Sequence, residues 1–261
     1  MIGGLPRFSM SGMRQFLLIN LVAVLAVGCG ESTRNRPTLR ILCGASMSDP
    51  MQELGNKFAR QNGVEVIFDL GNSETLMTRV QVDAPADVFI CHDPFEADVK
   101  KAGKLTSSVA IAGMQPVLLV RPGNPKGINS IADLTRPGIK IGTGNEQSTC
   151  GQMFMQLLDQ KGLREKVMAN VALQGRTHVE IANGLIAGPL DAVVVWNFIA
   201  ELYKGKVQRV PTDDRYLLVR VTILGLTQSP SPRVRDEFLE YCKTPAARET
   251  FIRYGYSRLA E

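Results

Sequence analysis

Two serines stand where this chain could hold an anion. In residues 41–50, ILCGASMSDP, an apolar run breaks at Gly44 and the helix-start signature Ser48-Asp49-Pro50 follows. A strand therefore delivers Ser46 to a helix N-terminus. The first-turn amides of such a helix lack partners and its dipole end is positive, so an anion is favoured and a hydroxyl adds a donor. Ser73 repeats the pattern: the apolar residues 64–70 break at Gly71-Asn72-Ser73, and a helical spacing runs on through Val80. The alternative is that these serines only cap their helices.

Other chemistry finds less support. The histidines, His92 and His178, have no Ser or Cys at motif spacing, and G-x-S-x-G, H-E-x-x-H and P-loop patterns are lacking. Asp83, Asp87 and Asp93 gather near one strand, where Asp93 reads as a helix cap and the others as solvated. Met51, Met77, Met153 and Met155 fall on helical faces and read as core. Cys43, Cys91, Cys150 and Cys242 show neither C-x-x-C nor Cys/His spacing, which argues against a zinc or redox site. An oxidising compartment would permit a Cys43–Cys91 pair; otherwise these are small buried apolar residues. No acid/base pair emerges, so neither an enzyme nor a cofactor is expected.

Composition agrees with a folded binder. Of 261 residues 44% are hydrophobic and 21% charged, enough for a real core. The net charge of +5 is dispersed without a basic run. A mild attraction for small anions follows, and nucleic acid is not expected as a partner.

The elements that must position the serines alternate. Strands are predicted at 39–43, 64–70 and 87–91, with helices at 50–61, from Ser73 through Val80, and after His92-Asp93-Pro94. This βαβαβα order marks an open parallel sheet with helices on both faces, whose ligands gather at the carboxyl ends of the strands. Residues 114–120 are strongly apolar before the punctuation RPGNP. A second block follows: helix 128–134, strand 139–142, helices 150–161 and 179–187, and strand 191–195. Extended segments at 207–210 and 216–226 and helices at 234–241 and 246–254 close the chain. Two α/β lobes joined by two crossing strands fit this order better than one long sheet.

The N-terminus reads as an export signal. Arg7 and Arg14 precede an apolar run over 16–27 that is short for a membrane span, and Met13 is a second candidate start. Ala26-Val27-Gly28-Cys29 resembles a lipobox, which implies cleavage before Cys29 and a lipid on its side chain; the alternative is an ordinary cysteine in an uncleaved anchor. The expected organisation is signal peptide 1–28, tether 29–37, first lobe 38–118, second lobe 119–218, and a return to the first lobe over 219–261.

GASMSDPMQELGNKF, LGNSETLMTRV and APADVFICHDP resemble successive signatures of the molybdate-binding proteins of ABC importers, and the likeness runs over residues 39–261. The resemblance implies an α/β, two-lobed periplasmic binding protein of type II, each lobe a mixed, mostly parallel sheet flanked by helices, with the ligand cleft between lobes. It implies a monomer that is exported, lipid-anchored outside the cytoplasm, binds molybdate or tungstate and docks on an ABC permease. It also implies further site residues: backbone amides at Cys150 and at Thr177 or His178, and Trp196 where the family has a tyrosine. An indole donates but cannot accept, so the wiring differs. Arg176 would add a fixed charge that the family generally lacks, unless it is a solvated residue at a helix start. The alternatives are an anion sensor or a binder of sulfate or phosphate.

Overall fold

The computed structural model describes residues 36–212 and 218–259. Residues 1–28, Cys29 and most of the tether lie outside the described residues. The residues Arg36–Glu261 form one unit.

β1 (Thr38–Gly44) shows why the sheet needs helices on both sides. Ile41, Leu42, Cys43 and Gly44 are all buried, although neighbouring side chains on a strand point to opposite faces. α1 (Ser48–Asn62) leads from β1 to β2 (Glu65–Gly71); it buries Met51, Leu54 and Phe58 and stops at Gly63, whose φ of 65° suits glycine. α2 (Ser73–Gln81) leads to β3 (Val88–His92), and α3 (Phe95–Lys101) to β4 (Leu105–Met114). The sequence reading missed β4, whose outer half, LTSS, is barely buried.

The apolar run at 114–120 is shared by two strands. β4 ends at Met114, and β5 (Pro116–Val120) already belongs to the second sheet, so the chain crosses ahead of the boundary expected at 118. β6 (Ile141–Gly144) is followed by α4 (Thr149–Lys161), α5 (Arg164–Met168) and β7 (Val171–Gly175); α5 and β7 were also missed. α6 (His178–Ile186), β8 (Ala192–Trp196), α7 (Phe198–Leu202) and β9 (Gln208–Arg209) complete this part. The helix expected at 128–134 is only a 3₁₀ turn, Ala132–Thr135. The Asp133 carboxylate accepts from the amides of Asn129 and Ser130 and from the Ser130 hydroxyl, which gives the backbone local partners in place of a helix.

β10 (Val219–Leu226) returns to the first sheet and inserts antiparallel between β3 and β4. The strand orders are β2-β1-β3-β10-β4 and β7-β6-β8-β5-β9. In each, a parallel trio comes first and antiparallel neighbours follow. This is the two-lobed type II binding-protein architecture. α8 (Pro232–Cys242) and α9 (Pro245–Arg253) pack back on the first sheet, burying Phe238 and Phe251 beside Phe58, Ile41 and Ile90. On the opposite face Leu42, Leu76, Phe89 and Leu224 form a separate cluster. The second sheet is likewise covered twice, by Phe154 and Leu158 on one face and by Ile181 and Leu185 on the other.

Asn197 knots the crossing segments together. Its amide N–H donates to the Gln115 carbonyl at 3.0 Å, and its side-chain oxygen accepts from the Gln115 N–H at 3.1 Å. Its side-chain nitrogen donates to Gly255 O at 2.9 Å and to Ser257 Oγ at 3.1 Å. A buried carboxamide satisfied on both ends fixes where the sheets meet.

Candidate ligand-binding cleft

Parallel strands end on the same side of their sheet. β1, β2 and β3 end at Gly44, Gly71 and His92, and β6, β7 and β8 end at Gly144, Gly175 and Trp196. The turns that follow these strands line one cleft of ≈ 1110 Å³. Ser46, Ser73, Cys150, Arg176, Thr177, His178 and Trp196 all line it, so the seven residues named from the sequence are brought together.

The serines are not caps. Ser46 lies in a 3₁₀ turn, Ala45–Met47, that precedes α1, so it does not stand at the start of the α-helix itself. Asn72 caps α2, its side chain accepting from the Thr75 N–H at 2.9 Å, and Ser73 is the first helical residue. Neither serine hydroxyl makes a hydrogen bond among the described residues. The Ser46 carbonyl accepts from the Tyr256 hydroxyl, which holds the first turn against the C-terminal segment. A Cβ at Gly44 would sit 2.4 Å from Met47 Cε and 3.2 Å from Ser73 Oγ, so a larger residue there makes the Met47 tip move aside.

In the second lobe the capping side chains come from other residues. Ser148 caps α4: its Oγ accepts from Gly151 N–H at 3.1 Å and donates to Asn145 O at 2.9 Å. The amides of Thr149 and Cys150 make no hydrogen bond among the described residues, so the first turn of α4 stays open. The Cys150 thiol is buried, and burial pushes its pKa up, which leaves the amide as its available polar group. All four described cysteines are free and buried, Cys43 and Cys91 included.

α6 starts one residue before the position expected. Thr177 is its cap, accepting from Glu180 N–H at 3.1 Å, while Glu180 Oε2 accepts from Arg176 N–H at 2.9 Å. The amides of His178 and Val179 are left open among the described residues. Neither the Thr177 amide nor the His178 amide donates to another described residue, and that of His178 belongs to the first turn. The Arg176 side chain is exposed, and its guanidinium has no ion pair or hydrogen bond among the described residues.

Trp196 is only 2% exposed, yet it lines the cleft. Its ring centroid lies 6.3 Å from that of His92 and 5.7 Å from that of His178. Sequence reasoning dismissed His92 because it sought a nucleophile beside it. The signal that finds it is topological: His92 ends β3 just as Trp196 ends β8, the third strand of the other parallel trio. Burial lowers the pKa of both histidines, that of His178 to about 4 with a further push from His92. Among the described residues no cluster of three His, Cys, Asp or Glu could hold a metal ion.

Residues 39–257 match the family described as bacterial extracellular solute-binding protein. The chain belongs to that family. It is similar to the molybdate-binding protein ModA of Mycobacterium tuberculosis (strain ATCC 25618 / H37Rv), 26% identical over 260 residues that cover 95% of this chain and 98% of the relative. Its fold is similar to the periplasmic molybdate-binding protein of Azotobacter vinelandii, with a TM-score of 0.71 at 20% identity over 85% of this chain and 100% of that one. The sulfate-binding protein SubI of M. tuberculosis H37Rv is as near in fold, with a TM-score of 0.71 at 20% identity, covering 85% and 86%.

Proposed function

We propose that this chain captures a tetrahedral oxyanion, molybdate or tungstate, outside the cytoplasm and delivers it to the permease of an ABC importer. One observation carries the reading: the unpartnered hydroxyls of Ser46 and Ser73 and the open first turns of α2, α4 and α6 all line a single cleft. Donors of this kind suit a ligand that accepts every hydrogen bond. The cleft of ≈ 1110 Å³ is far larger than such an anion. Contacts from both sides would therefore stabilise a closed form over the open one, by as much as the anion's affinity for the two differs. The lobe boundaries we assign are 38–114 with 219–259 for the first and 116–212 for the second, and we assign a monomer.

Titrating the full chain in detergent with molybdate, tungstate, sulfate and phosphate tests this. Saturable binding of the first two and weak binding of the others is the expected result. Sulfate or phosphate is the second reading, and the uncommitted Arg176 guanidinium is the observation that favours it. Tight binding of either with none of molybdate would replace the first reading. An anion sensor would bind equally well, but anion uptake by cells would not depend on it.

Trp196 supplies the reporter. Molybdate is expected to change its emission saturably and reversibly, because ligand and lobe closure alter the surroundings of the single indole. Emission that stays fixed while calorimetry records tight binding would place Trp196 outside the site.

For the anchor we infer cleavage before Cys29 and lipid attachment there. Cys29→Ser is then expected to abolish metabolic labelling with a fatty acid and to release the protein from the membrane fraction. Undiminished labelling of that variant would refute the anchor.

A further inference from the structure

The two histidines of this chain flank its one tryptophan. His92 ends a strand of the first sheet and His178 opens a helix of the second, so the three rings bridge the floor of the cleft. Their hydrogen bonds fix the protons. His92 Nδ1 is 2.8 Å from the Asp93 carbonyl oxygen, and a carbonyl only accepts. Nδ1 therefore carries the proton, and Nε2 of the neutral ring is a bare lone pair with no partner among the described residues. His178 Nδ1 is buried without a hydrogen-bond partner. A buried N–H without an acceptor is costlier than an unfilled acceptor, so the proton of His178 rests on Nε2.

An oxyanion entering the cleft thus meets a donor at His178 and a lone pair at His92. A deprotonated oxygen cannot bond to that lone pair, and proton uptake removes the conflict. We propose that His92 is an anion-binding residue and that each fully deprotonated oxyanion is captured together with one proton, which bonds to His92 Nε2, while His178 donates as a neutral ring. The proton comes from the solvent buffer, whose acid form gives it up. This rests on the reading of the cleft as an oxyanion site.

The surrounding charges allow one such proton. Glu74, in the first turn of α2, and Asp93, paired with Arg220 at 3.1 Å, favour charge on His92. A charge on His92 pushes the His178 pKa down, so the second ring stays neutral. In the unliganded cleft burial keeps both rings neutral near pH 7. A bound dianion raises the His92 pKa. Affinity is therefore highest below the lowered pKa of the free ring, falls by about tenfold per pH unit between that value and the raised one, where one proton is linked, and levels off above it.

Calorimetry of the full chain in detergent tests this, with molybdate at one neutral pH in two buffers of different ionisation enthalpy. The expected difference in apparent enthalpy corresponds to one proton taken up per anion. His92→Gln is expected to bind more weakly with no proton uptake, whereas His178→Gln binds more weakly and still takes up one. Zero uptake by the unaltered chain, or one proton taken up by His92→Gln, overturns the proposal and leaves the oxyanion reading standing. Neither heat nor a Trp196 fluorescence change with any oxyanion overturns both.

Discussion

Alanine at Ser46 or at Ser73 is expected to weaken molybdate binding by about twelve- to 150-fold, which is about 1.5 to 3 kcal/mol for a hydrogen bond to a charged oxygen. The two changes together should abolish binding at micromolar ligand, since each removes a donor on the first-lobe side of the cleft. Thermal stability should stay where it is, because Asn72 caps α2 and neither serine hydroxyl bonds to a described residue. This separation of binding from folding is the informative part. A fall in melting temperature without a change in affinity would mean that the hydroxyls hold the fold. Unchanged affinity in both single variants would remove the two serines from the site.

Gly151→Ala is expected to do the opposite and damage both properties. A Cβ at residue 151 would stand 2.2 Å from Asn145 O, 2.7 Å from Gly144 O and 2.9 Å from Ser148 Oγ. Two of these are backbone atoms and cannot rotate away, so either the turn after β6 or the first turn of α4 has to move. Overpacking of this kind costs about 1 to 3 kcal/mol, several degrees of melting temperature for a domain of this size. It also displaces the open amides of Thr149 and Cys150, so binding should fall at temperatures where the variant is fully folded. Wild-type affinity and melting temperature together would contradict the geometry of this turn.

What was legible in the sequence depended on where each element lies. β1, β3 and β8 are covered on both faces, and their apolar runs stand out. β4 and β7 were missed, and both are edge strands with exposed residues in their patterns, consecutive at 106–108 in β4 and alternating in β7. The apolar spacing at 128–134 was helical, but the Asp133 carboxylate gives that backbone a competing set of partners. Ser46 and Ser73 could be found because the strand-to-helix junction that makes them interesting is local. Cys150, Thr177, His178 and Trp196 needed the family resemblance, since nothing adjacent in the chain marks them. His92 matters because of a tryptophan on the other sheet, and a juxtaposition across lobes leaves no trace in local spacing.

The placement of β10 also fixes an order of events while the chain is being made. Every strand of the second sheet comes from residues between Pro116 and Arg209, so that sheet can close as soon as they are available. The first sheet cannot. Its fourth position is filled by β10, which pairs Ile223 with Ile90 on one side and with Val109 on the other. Until residue 226 has been synthesised, β3 and β4 have no strand between them, and β3 presents a raw hydrogen-bonding edge of buried apolar residues. A chain halted near residue 210 would therefore hold a finished half beside a half exposed to aggregation.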